Sequence, residues 1–272
     1  MKIYLRNLFL VLTLAISNVV MAQKLYWVGG SGQFNDAAHW SYTSNGQGGA
    51  KTPTISDDVY FDENSFKSSS VINIIGGASC RDIIFSDYTL PVILNGTSNE
   101  KLTIAGNAAF NLYVTNQFLG DVWFNSVQQN NLKIGFGTFL GNVYFDGGGS
   151  WNLNSILNTD KQKTVTISSG NLNVNNNFLG FGNLICNANG YLKLNNSKIF
   201  IYEKIIVSNS SQIQGLGISK ILFDYSLNPN HFPNVLNENN ANLKTASTTT
   251  VTGIVPPTCN GFCDGHADVI NL

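Results

Sequence analysis

Charge is scarce in this chain: only 11% of its 272 residues are charged, with 15 Lys and Arg against 16 Asp and Glu, for a formal net charge of -1. A balance so close to zero provides no electrostatic basis for holding a nucleic acid, and no basic groove is written into the sequence. Histidine is scarcer still, at 3 residues. His39, His231 and His266 all stand outside the repeating part of the chain, and no Ser-His-Asp or Cys-His set can be assembled around them. Long apolar runs are missing too. The one candidate, Leu8 to Ile16, is short for a bilayer span and has no stop-transfer flank. What the chain does have is a 43% hydrophobic content and a polarity carried by Asn, Ser, Thr and Gly, the residues that serve turns.

The chain also repeats itself. Phe118-Leu119-Gly120-Asp121-Val122-Trp123-Phe124 is written again as Phe139-Leu140-Gly141-Asn142-Val143-Tyr144-Phe145. A fixed period of about 20 residues marks a solenoid, in which a coil buries its apolar side only against its neighbours. The same core of polar, apolar, any, apolar recurs at Asp58, Asp82, Lys101, Asp121, Asn142, Thr164, Asn183, Lys204 and Lys220. A second series follows each core, from Val71-Ile74 and Val92-Leu94 to Leu192-Leu194 and Ile213. Two strands per coil, all running in one direction, predict an all-β protein: a right-handed parallel β-helix of about nine coils, on the order of 40 Å long at the usual strand spacing.

Strand alternation sorts the side chains. Val59, Ile83, Leu102, Val122, Val143, Val165, Leu184, Ile205 and Ile221 are expected on one inward ladder, and Phe61, Phe85, Ile104, Phe124, Phe145, Ile167, Cys186, Val207 and Phe223 on the next. Outward, the second series presents Lys133, Asn152, Asn173 and Lys193, a solvated face. The first presents Tyr60, Ile84, Thr103, Trp123, Tyr144, Thr166, Ile185, Ile206 and Leu222, which is unusually apolar. Tyr60, Trp123 and Tyr144 are therefore the candidate ligand-binding residues: an exposed aromatic row stacks on sugar rings or anchors a partner. The competing reading is that a corner loop, or the segment after Asp224, folds over this face.

Turn and thiol residues fit the same frame. Asn171, Asn173, Asn175, Asn176 and Asn177, with Asn187, Asn189, Asn195 and Asn196, are expected to hydrogen-bond up and down the stack. Cys80 and Cys186 fall on inward slots about five coils apart, on the order of 24 Å, and cannot pair. Cys259 and Cys263 are close enough to pair in an oxidising compartment, while a zinc site there lacks two ligands. No metal and no cofactor is expected.

The flanks divide the rest. Residues 1–22 have Lys2 and Arg6, an apolar core and Val20-Met21-Ala22 as a cleavage site, the pattern of a secretory signal that leaves Gln23 as the mature N-terminus. Residues 23–57 break the period and carry Trp27 and Trp40 in a Gly-rich stretch, which reads as an aromatic N-terminal cap over the exposed first coil. The alternative there is a sugar-stacking or metal site of Trp27, Asp36, His39 and Trp40. Residues 58–225 form the β-helix, and 226–257 a closure and linker that runs through Ala246-Ser247-Thr248-Thr249-Thr250 to Pro256-Pro257.

Two stretches carry resemblances. Trp27-x-Gly29-Gly30-Ser31-Gly32, Asn35-Asp36-x-x-His39-Trp40-Ser41, Pro53 and Asp57-Asp58-Val59-Tyr60-Phe61-Asp62 resemble the N-terminal region of large secreted, β-helix-bearing surface proteins of Bacteroidota. Cys259-x-Gly261-x-Cys263-Asp264-Gly265 resembles the opening of the SprB-type repeat of gliding-motility adhesins. Residues 258–272 would then be the truncated start of such a repeat, too short to bury a core and expected to be disordered. The resemblances imply a secreted cell-surface adhesin, part of a longer modular protein, with a non-catalytic binding or spacer role towards a glycan or surface component. Without the sorting domain of such proteins, the chain would stay periplasmic if that domain is required.

The alternative is a carbohydrate-active β-helix enzyme, a polysaccharide lyase or hydrolase, which would need clustered carboxylates with a basic residue on one outer face. Lys133 and Lys193 have no facing carboxylate in the expected register, and Asp58, Asp82 and Asp121 recur at strand starts as turn residues would. No enzymatic activity is expected.

Overall fold

The computed structural model describes residues 22–86, 88–208 and 212–215, and the backbone of Lys220–Phe223, Val235–Asn237 and Val269–Ile270. It is an all-β solenoid of about seven turns, fewer than the nine expected. Among the described residues there is no α-helix, only a 3-10 turn at Ala37–His39. No described helix is long and apolar enough to cross a membrane.

Each coil has three strands, not two, and visits three sides in turn. Side one stacks Lys24–Trp27, Asp58–Phe61, Ile83–Phe85, Ala108–Ala109, Gln129–Lys133 and Ser150–Leu153, and continues through 171–174 and 189–193 to Ile213–Gln214. Side two stacks Gly32–Gln33, Ser70–Asn73, Val92–Gly96 and Val114–Phe118, and resumes from Phe139 and Leu157–Asn158 through 178–181 and 198–201 to Lys220–Phe223. Side three stacks Ala78–Cys80, Lys101–Ile104, Asp121–Asn125 and Val143–Asp146, then 164–167, 183–186, 204–207 and Val235–Asn237. All these pairings are parallel.

The inward ladders expected from the repeat hold over their long middle section. Leu102, Val122, Val143, Val165, Leu184 and Ile205 lie directly above one another, and so do Ile104, Phe124, Phe145, Ile167, Cys186 and Val207. They are buried together in one continuous core. The ends of the expected ladders belong elsewhere. Val59, Phe61, Ile83 and Phe85 are on side one, and the strand of Ile221 and Phe223 is on side two. The slip has a physical source: the side-three strand of that early coil is Ala78-Ser79-Cys80, whose small side chains leave almost no hydrophobic pattern. Cys80 takes the first place in the ladder that ends at Cys186 and Val207, five steps below Cys186. Both thiols are free and buried.

Stacked rings fill the early coils: Phe61 lies on Phe85 at 4.1 Å between centroids, and Phe85 on Phe110 at 5.2 Å. Farther along, Phe124 lies on Phe145 at 5.1 Å. Each buried aromatic or aliphatic side chain stabilises the fold by about 1.5–3 kcal/mol, and the ring pairs add about 0.5–1.5 kcal/mol each.

Corners are built from two residue types. Where side two turns into side three, Gly120 and Gly141 stack backbone against backbone, and a Cβ on Gly141 would lie 1.8 Å from the Gly120 carbonyl oxygen. Gly149, Gly170 and Gly190 form a similar close column where side three turns into side one. The corner from side one to side two uses Asn instead, with Asn176, Asn195 and Asn196 in the left-handed region that Asn tolerates best after Gly. The expected amide ladders are present: Asn173 donates to Asn152 at 2.9 Å, Asn195 to Asn175 at 3.5 Å, and Asn171 to Ser150 Oγ at 3.1 Å.

At the N-terminal end, Trp40–Ser41 pairs antiparallel with Tyr26 and Trp27, on the edge of the first side-one strand that no coil covers. At the other end, Val269–Ile270 pairs antiparallel with Ile221 and Leu222. Of the expected secretory signal all but residue 22, of the expected closure and linker at 226–257 all but the backbone of Val235–Asn237, and also Cys259, Cys263, His231 and His266, lie outside the described residues.

Candidate functional site

The outward column of side three runs Ser79, Thr103, Trp123, Tyr144, Thr166, Ile185, Ile206, each half-buried. The parallel register puts Trp123 directly under Tyr144, and their rings stack at 4.2 Å between centroids and 16° between planes. Lys101, one coil earlier, places its Nζ 3.9 Å from the Trp123 ring centroid, an electrostatic attraction to the ring face. One coil on, the Tyr144 phenol lies close enough to the Asp121 carboxylate to feel its charge. Burial, and after it the Asp121 carboxylate, pushes the Tyr144 phenol above its ordinary pKa. The result is a four-residue cluster: ammonium, indole, phenol, carboxylate.

This geometry changes what the row can do. Lys101 and Tyr144 occupy the two faces of the Trp123 indole, which leaves its edge to the surface. Tyr144 has its second face towards Thr166, a small neighbour. Of the two rings, Tyr144 is the one whose second face carries no further ring or cation among the described residues, with polar groups at Asp121 and Thr166 beside it.

Tyr60 is not in this row. It belongs to side one, stacked on Tyr26 at 5.2 Å, with Lys24 Nζ 5.5 Å from its ring centroid. Burial, and then the carboxylates of Asp58 and Asp82, raises its pKa. Tyr60 and the Trp123–Tyr144 pair thus form two aromatic clusters on different sides of the prism. The slip at Ala78–Cys80 had merged them.

The alternative site at the N-terminal end is taken up by structure. Trp27 and Trp40 are fully buried, and their indole N–H groups donate to Gly30 O and Phe34 O, each at 2.7 Å. Neither offers a ring face to a sugar. His39 stacks on Trp27 at 4.7 Å and is held through Nδ1 at 2.9 Å from Val28 O, while Asp36 caps the 3-10 turn by accepting from Ala38 N at 2.9 Å. No group of three or more His, Cys, Asp or Glu among the described residues is arranged to hold a metal ion.

The recurrent acids act as staples between coils. Asp58 receives a bidentate pair from Arg81, at 2.6 Å from Nε and 2.5 Å from the terminal nitrogen. Asp82 accepts from Asn107 N at 2.8 Å, and Asp121 from Asn142 N at 3.3 Å. Asp57, missed by the repeat search, is the most enclosed: it binds Lys51 Nζ at 2.7 Å, Thr54 N at 2.9 Å and Thr54 Oγ1 at 2.7 Å. Burial works against its charge, but the Lys51 and Thr54 hydrogen bonds outweigh it and hold the carboxyl below the usual range. Its signal in the sequence was the Asp57-Asp58 pair, of which only the second residue keeps strand phase. Lys133 stands in register with Ala109 and Lys193 with Asn173 and Gln214.

Fold and ladder together define a three-sided parallel β-solenoid with an ordered aromatic and charged cluster on one outer side. Compared with known proteins, the chain matches no family model, no curated protein and no solved structure.

Proposed function

We propose that this chain is a secreted, cell-surface adhesin-like protein whose right-handed solenoid, closed at its N-terminal end by the aromatic segment 23–57, serves as a non-catalytic glycan-binding domain. The observation that carries the reading is the Lys101–Trp123–Tyr144–Asp121 cluster, since a half-exposed phenol with a carboxylate beside it suits a sugar ring and its hydroxyls. A glycan docks on the second face of Tyr144, with Trp123 as its rigid backing. Surface location is supported by the signal-like pattern of residues 1–22 and by the resemblance of residues 27–62 to surface proteins of Bacteroidota.

The test is a glycan array probed with the mature rod, residues 23–243, followed by titration of the best glycan. Tyr144→Ala should weaken binding at least about tenfold, roughly 1.4 kcal/mol, and Trp123→Ala should weaken it less. If both variants bind every retained glycan as the parent does, the domain is a spacer and the binding role is wrong.

A further inference from the structure

We propose that a polar cleft at the N-terminal end of the solenoid binds a sugar acid, at a site separate from the Trp123–Tyr144 cluster. The cleft has a volume of about 430 Å3 and lies between the loop through Gly29 and Gly30, the turn at Asn45 and Gly46, and residues 64–70. That volume falls within the range of small-molecule sites, about 300–1,000 Å3. Its lining differs from the usual pattern in being almost wholly polar: hydroxyl, amide, glycine backbone and one ammonium, that of Lys67, against Val28 as the single apolar residue.

Charge sets the first part of the ligand's chemistry. Lys67 is exposed and no carboxylate lines the cleft. The ion pairs among the described residues are Lys51 with Asp57 and Arg81 with Asp58, so Lys67 keeps its charge for a guest. A single ammonium with no counter-charge favours one anionic group.

Hydrogen bonding sets the second. Ser31 Oγ accepts from Val71 N at 3.0 Å, which leaves its own proton to donate. Asn64 Nδ2 donates to Ser44 Oγ at 3.1 Å, which leaves its carbonyl oxygen to accept. Ser68 adds an exposed hydroxyl. Gly29 and Gly30 sit at φ 86° and 77°, conformations that suit glycine, and their lack of side chains lets a ligand approach the backbone closely. Spare donors and acceptors spread around one cation match a polyhydroxylated ring bearing one carboxylate. A hydrocarbon or an aromatic guest would find no matching surface.

Calorimetric titration of the full chain with glucuronate, glucose and acetate tests the assignment. Glucuronate is expected to bind at least about tenfold more tightly than either glucose, which lacks the charge, or acetate, which lacks the hydroxyls. Lys67→Gln should reduce glucuronate affinity about tenfold and bring it near that of glucose, and Ser68→Tyr, which fills the mouth at an exposed position, should remove both. Trp123→Ala and Tyr144→Ala should leave glucuronate binding unchanged, so this site and the glycan face fail or hold independently. The proposal is overturned by absent saturable glucuronate binding at millimolar concentration, by glucuronate affinity that Lys67→Gln does not alter, or by acetate binding as tightly as glucuronate, which would make the cleft an anion site only.

Discussion

Gly141→Ala should be far more damaging than an added methyl group suggests. At this corner the Cβ would lie 1.8 Å from Gly120 O, 2.6 Å from Gly120 C and 2.9 Å from Leu119 O. All three atoms are backbone, so no rotamer change relieves the contact. Only a separation of the coils does, by roughly 1.5 Å against a strand spacing of about 4.8 Å. Such an opening breaks the hydrogen bond from Val122 N to Asn142 O, now 2.9 Å, beside the corner. Overpacking costs about 1–3 kcal/mol and a lost ladder hydrogen bond about 1 kcal/mol, so the variant should lose about 2–4 kcal/mol in urea unfolding followed by far-ultraviolet circular dichroism. Two companions isolate the cause. Gly148 has φ 80° and open space around its Cβ position, so Gly148→Ala should lose only the left-handed penalty of about 1–2 kcal/mol. Gly137 has open space and an ordinary φ, so Gly137→Ala should be neutral or gain up to about 1 kcal/mol. A Gly141→Ala loss under about 0.5 kcal/mol, or three variants of equal stability, would refute close backbone stacking as the reason for glycine at the corners.

Three more outcomes can be checked. Because the Asp57 carboxyl sits below its unfolded pKa, its contribution is complete above the ordinary carboxylate range and is lost as pH falls through the folded value. The stability gap between the parent and Asp57→Asn, about 1–3 kcal/mol at neutral pH, should therefore shrink below about pH 4 in unfolding curves taken across acid pH. Burial pushes the Cys186 thiol up to about 12 and also raises that of Cys80. With Cys259 and Cys263 replaced by Ser, the folded chain should resist a thiol-reactive disulfide reagent at pH 8, and both thiols should react once urea unfolds it. Asp121→Asn removes a carboxylate that opposes ionisation of Tyr144, so the phenol should titrate at lower pH in ultraviolet difference spectra, with Tyr144→Phe identifying the band. An unchanged titration would mean that the phenol and carboxylate do not meet.

The middle of the solenoid was legible from residues 101 to 207 because its inward positions on side three are all apolar and, Cys186 apart, aliphatic or aromatic, so alternation and period reinforce each other. Legibility failed where side chains are small. Ala78-Ser79-Cys80 and Ala108-Ala109 are true strands whose apolar signal is weak, and passing over them moved Tyr60 onto the wrong side and hid the third strand of every coil. The glycine corners did leave a trace that was not used: Gly120 with Gly141, and Gly149 with Gly170 and Gly190, recur at the period of the coil.

From the sequence alone came the class of fold, the phase of the central ladders, the buried setting of Cys80 and Cys186, and the meeting of Trp123 with Tyr144, because all of these depend only on strand alternation and a constant repeat. Tertiary structure decided how many sides the prism has and which residues share a side. It also decided that Lys101 covers the Trp123 face and that the Asp121 carboxylate lies near the Tyr144 phenol. Those contacts run between coils and across corners, where a shift of one strand changes every neighbour while the local pattern stays the same.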